Sequence, residues 1–259
     1  VLNRLFARSK SPPGRSTDGR LIYAVGDIHG RLDLLTDLMA RLTRDAADTR
    51  PDRPPVLIFV GDYVDRGPDS RGVLNLVRRM IEDAQWEVRA LLGNHEEVML
   101  NFLEDASVGA SWVEFGGAQT LAQYGIAPPA QRGDAEGWAA AQAAFTASAP
   151  AEEVAFLRRL ELSATYGDYM FVHAGVRPGV ALDRQVRADL LWIREAFLNE
   201  ERPFRKIVVH GHTPEVKPHA GPVRIGIDTG AYATGVLTAV RLWRGEATFL
   251  QASAHDPRL

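Results

Sequence analysis

Two carboxylates and a guanidinium share the seven residues Gly61-Asp62-Tyr63-Val64-Asp65-Arg66-Gly67, directly after the apolar run Val56-Leu57-Ile58-Phe59-Val60. Carboxylates held that close repel each other unless a cation lies between them. Arg66 supplies one positive charge but does not account for the rest of the pattern. A divalent metal does. The same grammar appears upstream, where Leu21-Ile22-Tyr23-Ala24-Val25 runs into Gly26-Asp27-Ile28-His29-Gly30. It appears again downstream, where Val88-Arg89-Ala90-Leu91-Leu92 runs into Gly93-Asn94-His95-Glu96. Asp27 and His29 are two apart, so at the end of an extended strand their side chains point the same way.

Groups of this kind need rigid supports. The three leading glycines lie 35 and 32 residues apart, the length of one strand plus one crossover helix. Consecutive parallel strands then deliver Asp27, Asp62 and Asn94 to the carboxyl edge of one sheet, where α/β proteins bind ligands. Leu32, Leu34, Leu35, Leu38, Met39 and Leu42 recur at helical spacing, with Asp33 and Asp37 on the solvent side. A second helix is expected over about 70–83, with Val73, Leu74, Val77 and Ile81 on its apolar face. A third begins at Asn94 and turns Val98, Leu100 and Leu103 inward.

Residues 105–160 change character: ten of the 22 residues from Asp134 to Ala155 are alanine, and Trp138, Ala141 and Phe145 form a narrow apolar stripe. This reads as a helical insert that either caps the metal edge or simply covers the sheet. Trp112 and Phe115 are expected in the core, with an aromatic wall as their other use. Beyond it, Glu161–Tyr166 and Tyr169–His173 flank the turn Gly167-Asp168 as a hairpin. A helix over about 186–199 follows, then strands near 206–209, 223–228, 236–243 and 247–252. A histidine ending a strand is ordinarily structural. Here five of the seven histidines (His29, His95, His173, His210 and His212) sit in Gly-flanked segments at strand ends, which points to ligands; His219 and His255 take no role. The order βαβαβα, insert, then a mostly antiparallel second sheet predicts an α/β (α+β) fold of two packed mixed sheets flanked by helices, with the metal site at the carboxyl ends of the strands.

Composition bounds the rest. A net charge of −3 leaves no surplus of Lys and Arg to track phosphates, so no nucleic-acid partner is expected. There is no cysteine for disulfides or thiolate ligation. No apolar run approaches membrane-spanning length, and the N-terminus does not read as a signal peptide; a cytoplasmic enzyme is expected. Residues 1–20, with Arg4, Arg8, Lys10 and Arg15, read as a loose basic arm, 21–252 as one domain carrying the 105–160 insert, and 253–259 as a tail.

Asp27-Ile28-His29-Gly30, Gly61–Gly67, Gly93–Glu96, His173-Ala174-Gly175 and Gly211-His212-Thr213, in that order, resemble the signature of the phosphoprotein phosphatase branch of the calcineurin-like metallophosphoesterases. The pattern is nearest to the bacterial and phage lambda-type serine/threonine protein phosphatases. That resemblance implies two divalent ions, manganese being favoured and iron or zinc also suiting. It implies Asp27, His29 and Asp62 on one ion, and Asp62, Asn94, His173 and His212 on the other. His210 is the runner-up to His212, or a neighbour that supports it. It also implies His95 as general acid held by Asp65, phosphate binding by Arg66, Arg194 and Asn94, and direct attack by a hydroxide shared between the metals. Arg194 otherwise reads as a plain residue on a helix surface, Glu96 as structural, and Tyr232 as a residue lining the site. The implied substrate is a phosphoprotein or phosphopeptide. The alternative is a symmetrical diadenosine tetraphosphate, because those hydrolases share the motifs. A docking protein without activity would have lost a ligand or the His–Asp pair, and neither is lost.

Overall fold

The computed structural model describes residues 15–254. Within them the first half runs β1 (Ile22–Val25), α1 (Leu32–Thr49), β2 (Val56–Phe59), α2 (Ser70–Ile81), β3 (Glu87–Ala90) and α3 (Asn94–Glu104). Next come α4 (Gly109–Trp112), a kinked turn (Val113–Gly117), α5 (Ala118–Gln123), α6 (Ala135–Ser148) and α7 (Ala151–Leu157). The second half holds β4 (Ser163–Tyr166), β5 (Tyr169–Val172), α8 (Arg187–Trp192), α9 (Glu195–Leu198), β6 (Ile207–His210), β7 (His219–Ala220), β8 (Arg224–Gly226), α10 (Ala231–Thr234), β9 (Val236–Trp243) and β10 (Glu246–Ser253).

Two five-stranded sheets result, ordered β10-β9-β1-β2-β3 and β4-β5-β6-β8-β7. Strands β1, β2 and β3 are parallel, as are β5, β6 and β8. Alternation along β1 shows the layering: Ile22 and Ala24 enter a cluster with Phe171, Val209 and Ile225 of the other sheet, while Tyr23 and Val25 meet the helices. Strands buried on both faces read as unbroken apolar runs, which explains Val56–Phe59. Met170, Val172 and Val208 carry the second sheet's outer face against Leu190 and Phe197. The outcome is helix, sheet, sheet, helix.

Several expectations need correction. The final hairpin, β9 and β10, joins the first sheet beside β1 rather than the second, which is mixed rather than mostly antiparallel. On α2, Ile81 is 45% exposed at the last turn, and Met80 is buried instead. On α3 the first turn is taken by buried Asn94, His95 and Glu96, so the apolar contacts shift to Met99 and Phe102, while Val98, Leu100 and Leu103 are half-buried. Residues 15–20 are not a loose arm. Thr17 and Arg20 are buried, Ser16 and Asp18 bond the Gly167-Asp168 turn, and Arg20 pairs with Glu87. Arg4, Arg8, Lys10 and His255 lie outside the described residues.

Candidate metal centre and active site

All six parallel strands end at one place. Beyond β1 stand Asp27 and His29, beyond β2 Asp62, Asp65 and Arg66, and beyond β3 Asn94 and His95. Beyond β5 stands His173, beyond β6 His212 and beyond β8 Asp228. Loop meets loop through the backbone: the amides of Ile28 and His29 both donate to the Asp62 carbonyl, at 3.0 and 2.8 Å. Glu96 organises the second loop, its carboxylate accepting from the amides of Gly93, Asp62, Tyr63 and Val64. Gly61, at φ +106°, lets this loop lie against the third, because a Cβ there would fall 2.6 Å from Gly93 Cα. Eight non-glycine residues among those described adopt positive φ, and five (His29, Asp62, Asp65, Arg66 and His212) belong to this edge. Such geometry costs on the order of 1–3 kcal/mol per residue and persists only where packing imposes it, most often at functional sites.

The imidazoles have assigned faces. His29 Nδ1 donates to the Val64 carbonyl at 2.8 Å and His173 Nδ1 to that of Val60 at 2.9 Å, so each Nε2 carries a lone pair inward. His173 Nε2 then faces Asn94 Oδ1 at 2.8 Å and Asp62 Oδ1 at 3.5 Å, while His29 Nε2 lies 3.4 Å from Asp62 Oδ2. His212 Nδ1 also meets Asn94 Oδ1 at 2.8 Å. The Nε2 lone pairs of His29 and His173, facing oxygens at these distances, are repelled unless a cation lies among them. Asp27 Oδ1 and His212 Nε2, both buried, have no hydrogen-bond partner.

The charges agree. Burial lowers the His29 pKa to about 3 and the His212 pKa to about 2, and it lowers that of His173 as well, so these rings are neutral at neutral pH, the form a metal ligand requires. Burial pushes the Asp27 carboxyl well up, with Asp228 and Asp62 adding to the effect. Asp62 behaves differently: burial opposes its charge, but His173, His95, His29 and His212 hold it well below the ordinary range. Its two oxygens address the two imidazole groups separately, Oδ2 toward His29 and Oδ1 toward His173. Nitrogen and oxygen donors without sulfur fit divalent manganese, iron or zinc.

Beside these groups His95 Nδ1 donates to Asp65 Oδ2 at 2.6 Å. Burial opposes a charge on His95, but Asp62 and the Asp65 hydrogen bond outweigh it and raise its pKa. Arg66 spans the opening, its two terminal nitrogens 2.9 Å from His29 Nε2 and 3.0 Å from His95 Nε2. The helix expected over 186–199 is broken between α8 and α9, with Ile193 extended and Arg194 at φ −129°, ψ −107°. That break brings Arg194 into a cavity of about 160 Å³ shared with Arg66, Asn94, His95, Phe115 and Trp192. Arg194 is therefore not a plain helix-surface residue. Tyr232 lines the same edge, its ring 4.6 Å beneath the Arg66 guanidinium.

The structure thus brings together Asp27, His29, Asp62, Asp65, Arg66, Asn94, His95, His173, Arg194 and His212. His210 is not among them; its ring packs on Phe197 and its Nε2 faces Arg224. Phe115, expected in the core, is 64% exposed at the cavity. Three roles escaped the sequence reading; Trp112, expected in the core or in an aromatic wall, does lie in the core. Asp228 is raised to about 6, burial being the main cause. Trp112 and Thr120 both donate to Asp65, at 2.8 and 2.6 Å. For Asp228 the strand 223–228 ending in an acid was a usable signal; for the other two no local signal exists.

Residues 20–233 match the family model described as calcineurin-like phosphoesterase. A serine/threonine-protein phosphatase 1 from Salmonella typhimurium is 31% identical over 228 residues, covering 86% of this chain and 92% of that protein. An asymmetrical bis(5'-nucleosyl)-tetraphosphatase, PrpE, from Bacillus velezensis is 27% identical over 250 residues, covering 88% and 92%. A solved structure provisionally named a diadenosine tetraphosphatase shares the fold with a TM-score of 0.61 at 21% identity, over 91% of this chain and 95% of that one.

Proposed function

The chain belongs to the calcineurin-like phosphoesterase family and is a hydrolase of that family; we propose that it cleaves phosphoserine and phosphothreonine esters of proteins, using two divalent ions. Asp27, His29 and Asp62 would hold one ion, and Asp62, Asn94, His173 and His212 the other. Bound there, such ions supply a water of lowered pKa and positive charge opposite the phosphoryl oxygens. Manganese is the ion we expect in both sites.

The chain's own residues do the rest. Arg66 and Arg194 line the cavity beside this edge and bind phosphoryl oxygens, and Asn94 orients a third. On substrate binding the Arg66 guanidinium exchanges its contacts with His29 and His95 for the phosphoryl group. Released from Arg66, His95 Nε2 takes up a proton from solvent and gives it to the ester oxygen as the phosphorus–oxygen bond breaks and a water oxygen takes its place. Asp65, hydrogen-bonded to Nδ1, keeps the ring oriented and offsets its charge.

One observation carries the chemistry, the buried His95–Asp65 pair at 2.6 Å; because dinucleoside tetraphosphate hydrolases share the motifs that supply both residues, the choice of a protein substrate leans on the 31% identical serine/threonine-protein phosphatase. A serine alkoxide leaves poorly, and a general acid is worth about 10²–10⁴-fold to it. A nucleotide phosphate leaves readily and gains little from the same acid. Dinucleoside tetraphosphate hydrolysis is the second reading, favoured by the names of several relatives and by the exposed rings of Phe115 and Trp192, on which a base could stack. The deciding experiment compares kcat/KM, with manganese, on a phosphoserine/phosphothreonine peptide and on diadenosine tetraphosphate. Preference for the peptide is expected; preference for the dinucleotide would replace this reading with the second.

A further inference from the structure

We propose that the helical segment between β3 and β4 is a positioning device for the acid pair, with Trp112 and Thr120 fixing Asp65 so that it aims His95 at the leaving group. This rests on the reading of His95 as the general acid.

Asp65 has no exposed surface, and both of its oxygens are engaged. Oδ2 accepts from His95 Nδ1 at 2.6 Å and from Trp112 Nε1 at 2.8 Å; Oδ1 accepts from Thr120 Oγ1 at 2.6 Å. The Asp65 amide is shared between Thr120 Oγ1 at 3.0 Å and Ser70 Oγ at 3.1 Å. The Thr120 proton is committed to the carboxylate, so in the 3.2 Å contact between the hydroxyls Ser70 is the donor. A carboxylate held by one imidazole turns about its own axis. Donors on both oxygens fix its plane and therefore the direction of the His95 ring. Asp65 also sits at φ +71°, a conformation that a non-glycine residue keeps only under constraint. Two of the three side-chain donors to this carboxylate come from the segment outside the βαβ frame.

The same segment holds the next residue. The Arg66 amide donates to the Gly116 carbonyl at 3.0 Å and Arg66 Nε to that of Phe115 at 3.3 Å, both within the kink at Val113–Gly117. Gly116, at φ +108°, kinks the chain between two helices, and the kink turns two carbonyls toward Arg66. The segment is thus neither a simple cover nor only a lid. Trp112 does pack on Phe102 and Phe145, at centroid distances of 5.2 and 5.7 Å, so a purely structural role must be told apart.

The test compares turnover of a phosphoserine peptide with that of p-nitrophenyl phosphate, whose leaving group needs no acid. Thr120→Val and Trp112→Phe remove a donor and keep most of the volume. Each is expected to lower kcat on the peptide by about tenfold or more and on the aryl ester by less than about threefold, a share of the ~10²–10⁴-fold that a general acid provides. KM should stay within about twofold, and Thr120→Ser, which keeps the hydroxyl, should restore peptide turnover. Phe145→Leu, which loosens the same core without touching Asp65, should lower the melting temperature and affect both substrates alike. The proposal is overturned if Thr120→Val behaves as Phe145→Leu does while His95→Asn still separates the two substrates. If His95→Asn itself fails to separate them, the acid reading falls and takes this proposal with it. Should Trp112→Phe not fold, the Thr120 pair decides.

Discussion

Asp62 has one oxygen toward His29 and the other toward His173, so in the proposed reading a single carboxylate would tie the two metal sites together. Asp62→Asn replaces an oxygen by an amide nitrogen that cannot accept, and should abolish both bound metal and turnover; retention of near-normal metal by elemental analysis would contradict the bridging role. Glu96 does its work without touching the reaction, collecting four backbone amides. Glu96→Gln puts N–H against N–H in a buried site, and we expect a stability loss of about 1–3 kcal/mol in urea denaturation. Much of this scale was legible in the sequence, because Gly-Asp and Gly-Asn at strand ends announce both the residue and its support. Asp65 is the contrast. Its bonds to Trp112 and Thr120 span 47 and 55 residues, and no spacing rule signals a hydrogen bond across that distance.

Among the elements, the kink at Val113–Gly117 and the break between α8 and α9 both interrupt a helix beside an arginine. Gly116 stands at φ +108°, and a Cβ there would lie 2.5 Å from Arg66 Cγ. Gly116→Ala should therefore displace Arg66 and raise KM for phosphopeptide by about tenfold, as expected for losing one charged hydrogen bond, with a smaller change in kcat; an unchanged KM would show that Arg66 does not bind substrate. The helix before the second arginine is anchored from α3, where Glu97, three residues after Asn94, accepts from Arg187 at 2.6 Å and from Trp192 at 2.7 Å. Periodicity found the helix over 186–199 but not its interruption, because Leu190, Leu191, Ile193 and Phe197 keep helical spacing through a backbone that is not helical. The same limit applies to α3. Its first turn is buried for chemistry rather than for packing, so the apolar stripe begins one turn late, at Met99 and Phe102, and meets Trp138 and Phe145 of α6.

For the whole molecule, the native state is, in the proposed reading, one that cations would complete. Asp27, Asp62 and Asp228 are crowded and buried beside neutral imidazoles, which is unfavourable until positive charge is added. Manganese at a hundred times its dissociation constant should stabilise the fold by about 2.7 kcal/mol per site, read as a rise in melting temperature that chelation reverses and Asp62→Asn abolishes. The two-sheet architecture was legible because strand and helix patterns alternate with fixed spacing through residue 104. The placement of β9 and β10 was not, since an apolar antiparallel hairpin carries no mark of which sheet it will join; its partner is set by the open edge of β1. What unites the fold, the metal edge and the acid pair is the claim that this enzyme is built for poor leaving groups. Turnover of His95→Asn relative to the unmodified chain, on a phosphoserine peptide and on p-nitrophenyl phosphate under saturating manganese, tests that claim most directly. A loss of about a hundredfold or more on the peptide with a loss of only a few fold on the aryl ester is expected. Equal losses on the two substrates would contradict it.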